Sequence, residues 1–167
     1  MKTILPVVFA LAFIASSFAQ TNTNSAPRVV LTLSAPAAAI TAPMVLTNGY
    51  LFLPGGSESV GGGGKAVFNF TVTNAGDYVI TAVVNAPGED QNSFFINVDA
   101  MPDDTMIWDM DMTDGFQERT VSWRGNGDAN YDEISPKKFF LTAGAHKLFI
   151  IGREPTELKS ISICLIK

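Results

Sequence analysis

The chain has 167 residues, 47% of them hydrophobic, a formal net charge of −5 and one cysteine. A single Cys excludes an intramolecular disulfide, so the fold must be held by its own core, and a chain of this length can bury one. Between Glu89 and Glu133 stand twelve acids and only two bases, Arg119 and Arg124, which disfavours a nucleic-acid partner because phosphate binding needs the opposite sign over an extended surface.

Met1-Lys2 is a short basic start, Ile4 to Ala15 is almost wholly apolar, and Ser17-Phe18-Ala19 places small residues where a signal peptidase reads. The pattern predicts a signal peptide over 1–19 and a secreted product, extracellular or, in a Gram-negative bacterium, periplasmic. No stretch reaches the ~18 apolar residues of a spanning helix, so no membrane span is expected in the mature chain. Residues 20–43 read as a disordered or extended N-terminal segment with a first strand near Arg28 to Leu33, and a single domain follows over 44–167. Leu51-Phe52-Leu53 is a short strand. The run Gly61 to Gly64 reads as a flexible turn, because Lys65-Ala66 and the strand after it lack the Lys-Ser/Thr spacing and helix of a phosphate loop.

From Lys65 the apolar positions alternate. Phe68, Phe70 and Val72 share one face, Tyr78, Ile80, Ala82 and Val84 resume after the turn Asn74 to Asp77, and Phe94, Ile96 and Val98 follow a polar loop over Asn85 to Asn92. Met106, Trp108, Met110 and Met112 face inward opposite Asp109 and Asp111. Val121 with Trp123, Phe139 to Leu141, His146 to Ile151 and Leu158 to Ile166 complete the series. Nothing holds apolar spacing of three and four. The chain is therefore all-β, with about nine or ten short strands in two packed antiparallel sheets. His146 shares a face with Leu148 and Ile150 and reads as a satisfied core histidine, and Cys164 as a buried core thiol.

Several segments together resemble the galactose-binding-like β-sandwich, a jelly-roll module common among non-catalytic carbohydrate-binding domains. They are Ala75-Gly76-Asp77-Tyr78-Val79-Ile80, Ala86-Pro87 with Asn92 to Asp99, Trp108, Trp123, Phe140 to Ile150, and Arg153-Glu154, spread over Asn48 to Ile166. The resemblance implies an antiparallel jelly roll that binds a polysaccharide or glycan without acting on it. It also implies a structural calcium ion held by an acid near the last strand and a Glu near the first. Here Lys159 stands where that acid is expected, and no clear Glu opens the first strand.

A sugar site needs an aromatic face for the C–H side of a pyranose and planar polar groups for its hydroxyls. Trp123 ends its strand just before the most polar, glycine-rich stretch of the chain, so Trp123, Arg124, Asn126, Asn130 and Tyr131 are the candidate ligand residues, with Asn92 as a neighbour. An ordinary solvated loop is the alternative, since Asn, Asp and Gly are good turn formers. Asp109, Asp111 and Asp114 offer oxygens at alternate positions to a calcium ion, although the stretch departs from a helix-loop-helix calcium loop. No catalytic residues are assigned: the single His has no thiol or second His as partner, and no carboxylate pair is singled out. The rival to a lectin-like role is a structural or adhesive extracellular protein that binds another protein or itself.

Overall fold

A computed structural model describes residues 26–124 and 135–166; the signal-peptide reading falls outside them. Among the described residues, twelve strands form two antiparallel sheets. They are β1 (Arg28–Ser34), β2 (Ala39–Thr41), β3 (Val45–Thr47), β4 (Tyr50–Phe52), β5 (Lys65–Val72), β6 (Gly76–Asn85), β7 (Ser93–Val98), β8 (Ile107–Asp109), β9 (Gln117–Thr120), β10 (Phe139–Leu141), β11 (Gly144–Gly152) and β12 (Glu157–Leu165). The one described helix is a single 3-10 turn at Ala35–Ala37. No described helix is long and apolar enough to cross a membrane.

Alternation decides which side chains meet. In the five-stranded sheet the order is β2-β5-β11-β7-β8, with Ala66, Phe68 and Phe70 of β5, His146, Leu148 and Ile150 of β11, and Phe94 and Ile96 of β7 all buried. In the seven-stranded sheet β12 is central. It pairs with β6 on one side and with β1 and β4 on the other, while β9 and β10 line the far side of β6. Tyr78, Ile80, Ala82 and Val84 of β6 face the same core as Leu158, Ile161 and Ile163 of β12. Leu158 and Ile161 differ in parity, yet both point inward because the β6–β12 register shifts between Leu158 and Ser160. That bulge, at Lys159, turns the rest of the strand over.

Two expectations need correcting. Among the described residues twelve strands are present where nine or ten were counted, the excess being the three-residue pieces β2 and β3. The strand expected near Arg28 to Leu33 is β1, and with β2 it gives residues 28–41 a strand in each sheet. Met112 lies beyond the end of β8 and is exposed, whereas Trp108 is fully buried, its Nε1 donating to the Thr120 carbonyl at 3.0 Å.

The glycine run is also tighter than a flexible turn. A Cβ on Gly63 would overlap the Gly152 carbonyl, and one on Gly152 would lie 2.7 Å from the Gly63 carbonyl oxygen. Gly64 has φ +61. The close approach seats the 54–64 loop over the outer face of β7, where Val60 packs on Phe95, Ile107 and Ile151. Gly63→Ala should therefore cost about 1–3 kcal/mol by overpacking. Gly61→Ala, whose Cβ would meet nothing nearer than the Ser59 hydroxyl at 3.9 Å, should stay within about 0.5 kcal/mol of wild type in urea unfolding.

Candidate ligand-binding site

The two sheets are tied together along the edge formed by β8 and β9. Past β9 the chain crosses from one sheet to the other: Val121 N–H donates to the Ile80 carbonyl at 2.8 Å, and the Trp123 indole N–H reaches the Ile96 carbonyl at 2.9 Å. That crossing delivers Arg124 to the end of β8. Its Nε and Nη2 donate to the two carboxylate oxygens of Asp109 at 2.6 and 2.9 Å, a bidentate pair with fixed geometry.

Asp109 is the hub of a larger network. Its Oδ1 lies 4.0 Å from Nη1 of Arg153, which donates to the Ser93 hydroxyl at 2.7 Å and to Glu154 Oε1 at 2.5 Å. Glu154 Oε2 accepts the Asn92 backbone N–H at 2.9 Å, and the Asn92 carbonyl accepts Met110 N–H at 3.0 Å. Two cations and two anions thus alternate over the strand ends. The Arg124 side chain is 42% exposed and that of Asp109 11%, so the outer rim of the network faces solvent and its centre does not.

The structure brings Arg124 and Asn92 to the same edge, joined through Asp109. Trp123 is half-buried against the core, with Phe139 edge-on at 6.0 Å and the Lys137 ammonium 3.7 Å above one ring face. It anchors the crossing segment, and that ring face is covered. Asn126, Asn130 and Tyr131 lie outside the described residues. Of the three calcium candidates, Asp109 is held by Arg124 while Asp111 and Asp114 are exposed, and no group of three metal-ligating side chains occurs among the described residues. Sequence reasoning missed Ser93, Arg153 and Glu154 as site residues, although Arg153-Glu154 stands among the segments that carry the family resemblance.

The surface cavities among the described residues include three that bear on the candidate residues. One of about 250 Å³ lies between β8 and β9 with Asp109 in its wall. A second, about 560 Å³, lies on the outer face of the seven-stranded sheet over Val29, Val79 and Cys164. Cys164 is thus buried, as expected, but beneath this outer face instead of in the shared layer; burial pushes its thiol pKa up. The third, about 460 Å³, is lined by Asn69, Thr71, Asp99, His146 and Lys147.

His146 is satisfied on both ring nitrogens, 2.7 Å from the Asp99 carboxylate and 2.8 Å from the Thr142 carbonyl. Both partners are acceptors, so the doubly protonated ring fits best. Burial opposes the charge, but the bonds to Asp99 and Thr142 together with the Asp99 charge outweigh it and raise the pKa above 6.5. A raised folded value means the stabilisation is complete below about pH 6.5 and lost as pH rises through the folded value.

No family model and no curated protein sequence matches this chain. Solved structures do match. A family 35 carbohydrate-binding module from Clostridium thermocellum superposes with a TM-score of 0.54 at 14% identity, over 83% of this chain and 98% of that one. The family 35 module of Paenibacillus barcinonensis gives 0.53 at 13% identity, over 80% and 97%. The fold is the galactose-binding-like β-sandwich. The β-(1,4)-mannanase of Podospora anserina, which contains a family 35 module, gives 0.53 at 14% identity; the match covers 82% of this chain, which spans 28% of the enzyme.

Two outcomes follow from this galactose-binding-like sandwich. Asp109→Ala removes the bidentate acceptor of Arg124 and should lower stability in urea unfolding by about 0.5–1.5 kcal/mol, with Asp109→Asn falling between it and wild type. In wild type, stability should decline as pH rises above about 6.5 through the raised folded-state value of His146, and His146→Gln should remove that part of the slope.

Proposed function

We propose that the chain is a secreted, non-catalytic carbohydrate-binding protein that holds a polysaccharide or glycan against the β8–β9 edge. The observation that carries this reading is the bidentate Arg124–Asp109 pair in its network with Arg153, Glu154 and Asn92. Planar guanidinium and carboxylate groups held at a rigid strand end offer donors and acceptors side by side, which suits the neighbouring hydroxyls of a pyranose. Trp123 anchors the segment that brings Arg124 to this edge. Asn126, Asn130 and Tyr131, which follow Arg124 in the sequence, are proposed to complete the site.

Further support comes from the shared fold with family 35 carbohydrate-binding modules and from the secretory pattern of residues 1–19. The carboxylates at this end are engaged: Asp109 by Arg124, Glu154 by Arg153 and Glu157 by the Asn85 amide at 2.9 Å. Such partners use these carboxylates as hydrogen-bond acceptors, the role of a binding group. A structural or adhesive role would draw on the outer face of the seven-stranded sheet, where Phe140 is 70% exposed and Val29 lines a cavity. That face lacks a comparable fixed polar array, so the glycan reading is preferred.

A glycan-array screen of the chain from Gln20 to Lys167 tests the proposal. A defined sugar class should bind, and Arg124→Ala should weaken that binding at least about tenfold, or 1.4 kcal/mol, with the circular-dichroism spectrum unchanged. Silence across the array, or binding indifferent to Arg124→Ala, would count against the site.

A further inference from the structure

We propose that the cavity of about 250 Å³ between β8 and β9 is a subsite for one sugar ring carrying a protonated amine, a glucosamine-type unit; this rests on the carbohydrate-binding reading. Its walls include Asp109, Asp111, Glu118, Arg119, Thr120 and Ser122. The deciding residue is Ser122. It is 1% exposed, lines the cavity, and its Oγ is the one buried side-chain polar atom without a hydrogen-bond partner among the described residues. A hydroxyl removed from water and left unpaired is unfavourable, and a ligand in the cavity would supply the missing bond.

The charges around the cavity define the chemistry of that ligand. Arg119 is already committed: Nε donates to the Asp111 carbonyl, Nη1 to the Glu118 carbonyl, and Nη2 to the Met112 carbonyl and the Gln117 side chain. Asp109 is committed to Arg124. The carboxylates of Asp111 and Glu118 have no basic partner among the described residues, and Glu118 accepts only the Thr81 hydroxyl, at 3.1 Å. Asp109, Asp111 and Glu118 against Arg119 and Arg124 leave one net negative charge and a surplus of acceptors. A donor-rich, cationic guest fits that surplus, whereas a uronate or phosphate would meet repulsion.

Size and ligand geometry narrow the class. The volume is below the ~300 Å³ lower end for drug-sized ligands, so it admits a single ring. The absence of any group of three metal-ligating side chains among the described residues favours an ammonium, which needs hydrogen-bond acceptors, over a metal ion, which needs a coordination shell. Ser122 and Thr120 would meet the ring hydroxyls while Asp111 and Glu118 face the amine.

Calorimetric titration of the Gln20–Lys167 chain with β-1,4-linked glucosamine oligomers, their fully N-acetylated counterparts and neutral manno-oligosaccharides tests the subsite. The free-amine oligomer should bind at least about tenfold more tightly than the N-acetylated one, and the preference should shrink as salt screens it. Asp111→Asn combined with Glu118→Gln, both exposed positions, should abolish the preference, and Ser122→Ala should weaken the amine ligand several-fold. Equal binding of free and N-acetylated oligomers, or a preference that survives the double substitution, overturns the subsite while leaving glycan binding at Arg124 in place. No binding of any oligosaccharide overturns the carbohydrate reading and the subsite with it.

Discussion

Burial of one apolar layer between two sheets is the interaction on which the rest of the molecule depends, because no disulfide is available to hold the sheets face to face. Each large side chain taken fully into that layer contributes about 1.5–3 kcal/mol, against roughly 0–1 kcal/mol for an exposed ion pair. Phe68, Phe94, Trp108, Leu148 and Ile163 therefore outweigh the visible salt bridges. The layer also explains the bulge at Lys159: without a register shift there, Leu158 and Ile161 could not both reach it.

Against that background the β8–β9 edge is a place where the sheets are joined by polar bonds. Trp108, from one sheet, donates to a carbonyl on β9, and Trp123, from the segment after β9, donates back to a carbonyl on β7. Each indole fills space in or against the core and places its single donor on the opposite sheet, so the edge is held in two directions. Arg124 and Asp109 form a third tie a residue farther along each chain. Rigidity at this edge is what gives the polar groups a fixed arrangement, and pre-organised groups lose less entropy when a ligand arrives.

The long strands were legible because alternation is a local signal: β5, β6, β7 and β11 declare their inward faces within their own sequences. The three-residue strands β2 and β3 were not, since three residues are too few to show a period, and β2 exists only because β5 offers it an edge. The candidate site divides along the same line. Arg124 and Asn92 stood out as polar residues in loops, but their link through Asp109, and the parts played by Arg153 and Glu154, depend on contacts between segments far apart in the chain. His146 was legible as a satisfied histidine from its strand face, while its partner Asp99 was not. The glycine run was misread for the same reason, because its tightness depends on Gly152. Trp123 illustrates a limit of composition: a Trp beside a polar loop suggests a platform, and only the placement of Lys137 shows one face covered.

The central place of β12 in the seven-stranded sheet has a consequence for how the protein is made. Synthesis runs from the N-terminus, so of the twelve strands β12 is the last to leave the ribosome, yet β1, β4 and β6 all hydrogen-bond to it. Until it arrives, β1 has no partner in its sheet and β6 lacks its longest one. The seven-stranded sheet therefore cannot assemble before β12 has been made, and the sandwich closes through long-range pairing, the kind that makes β folds slow to form.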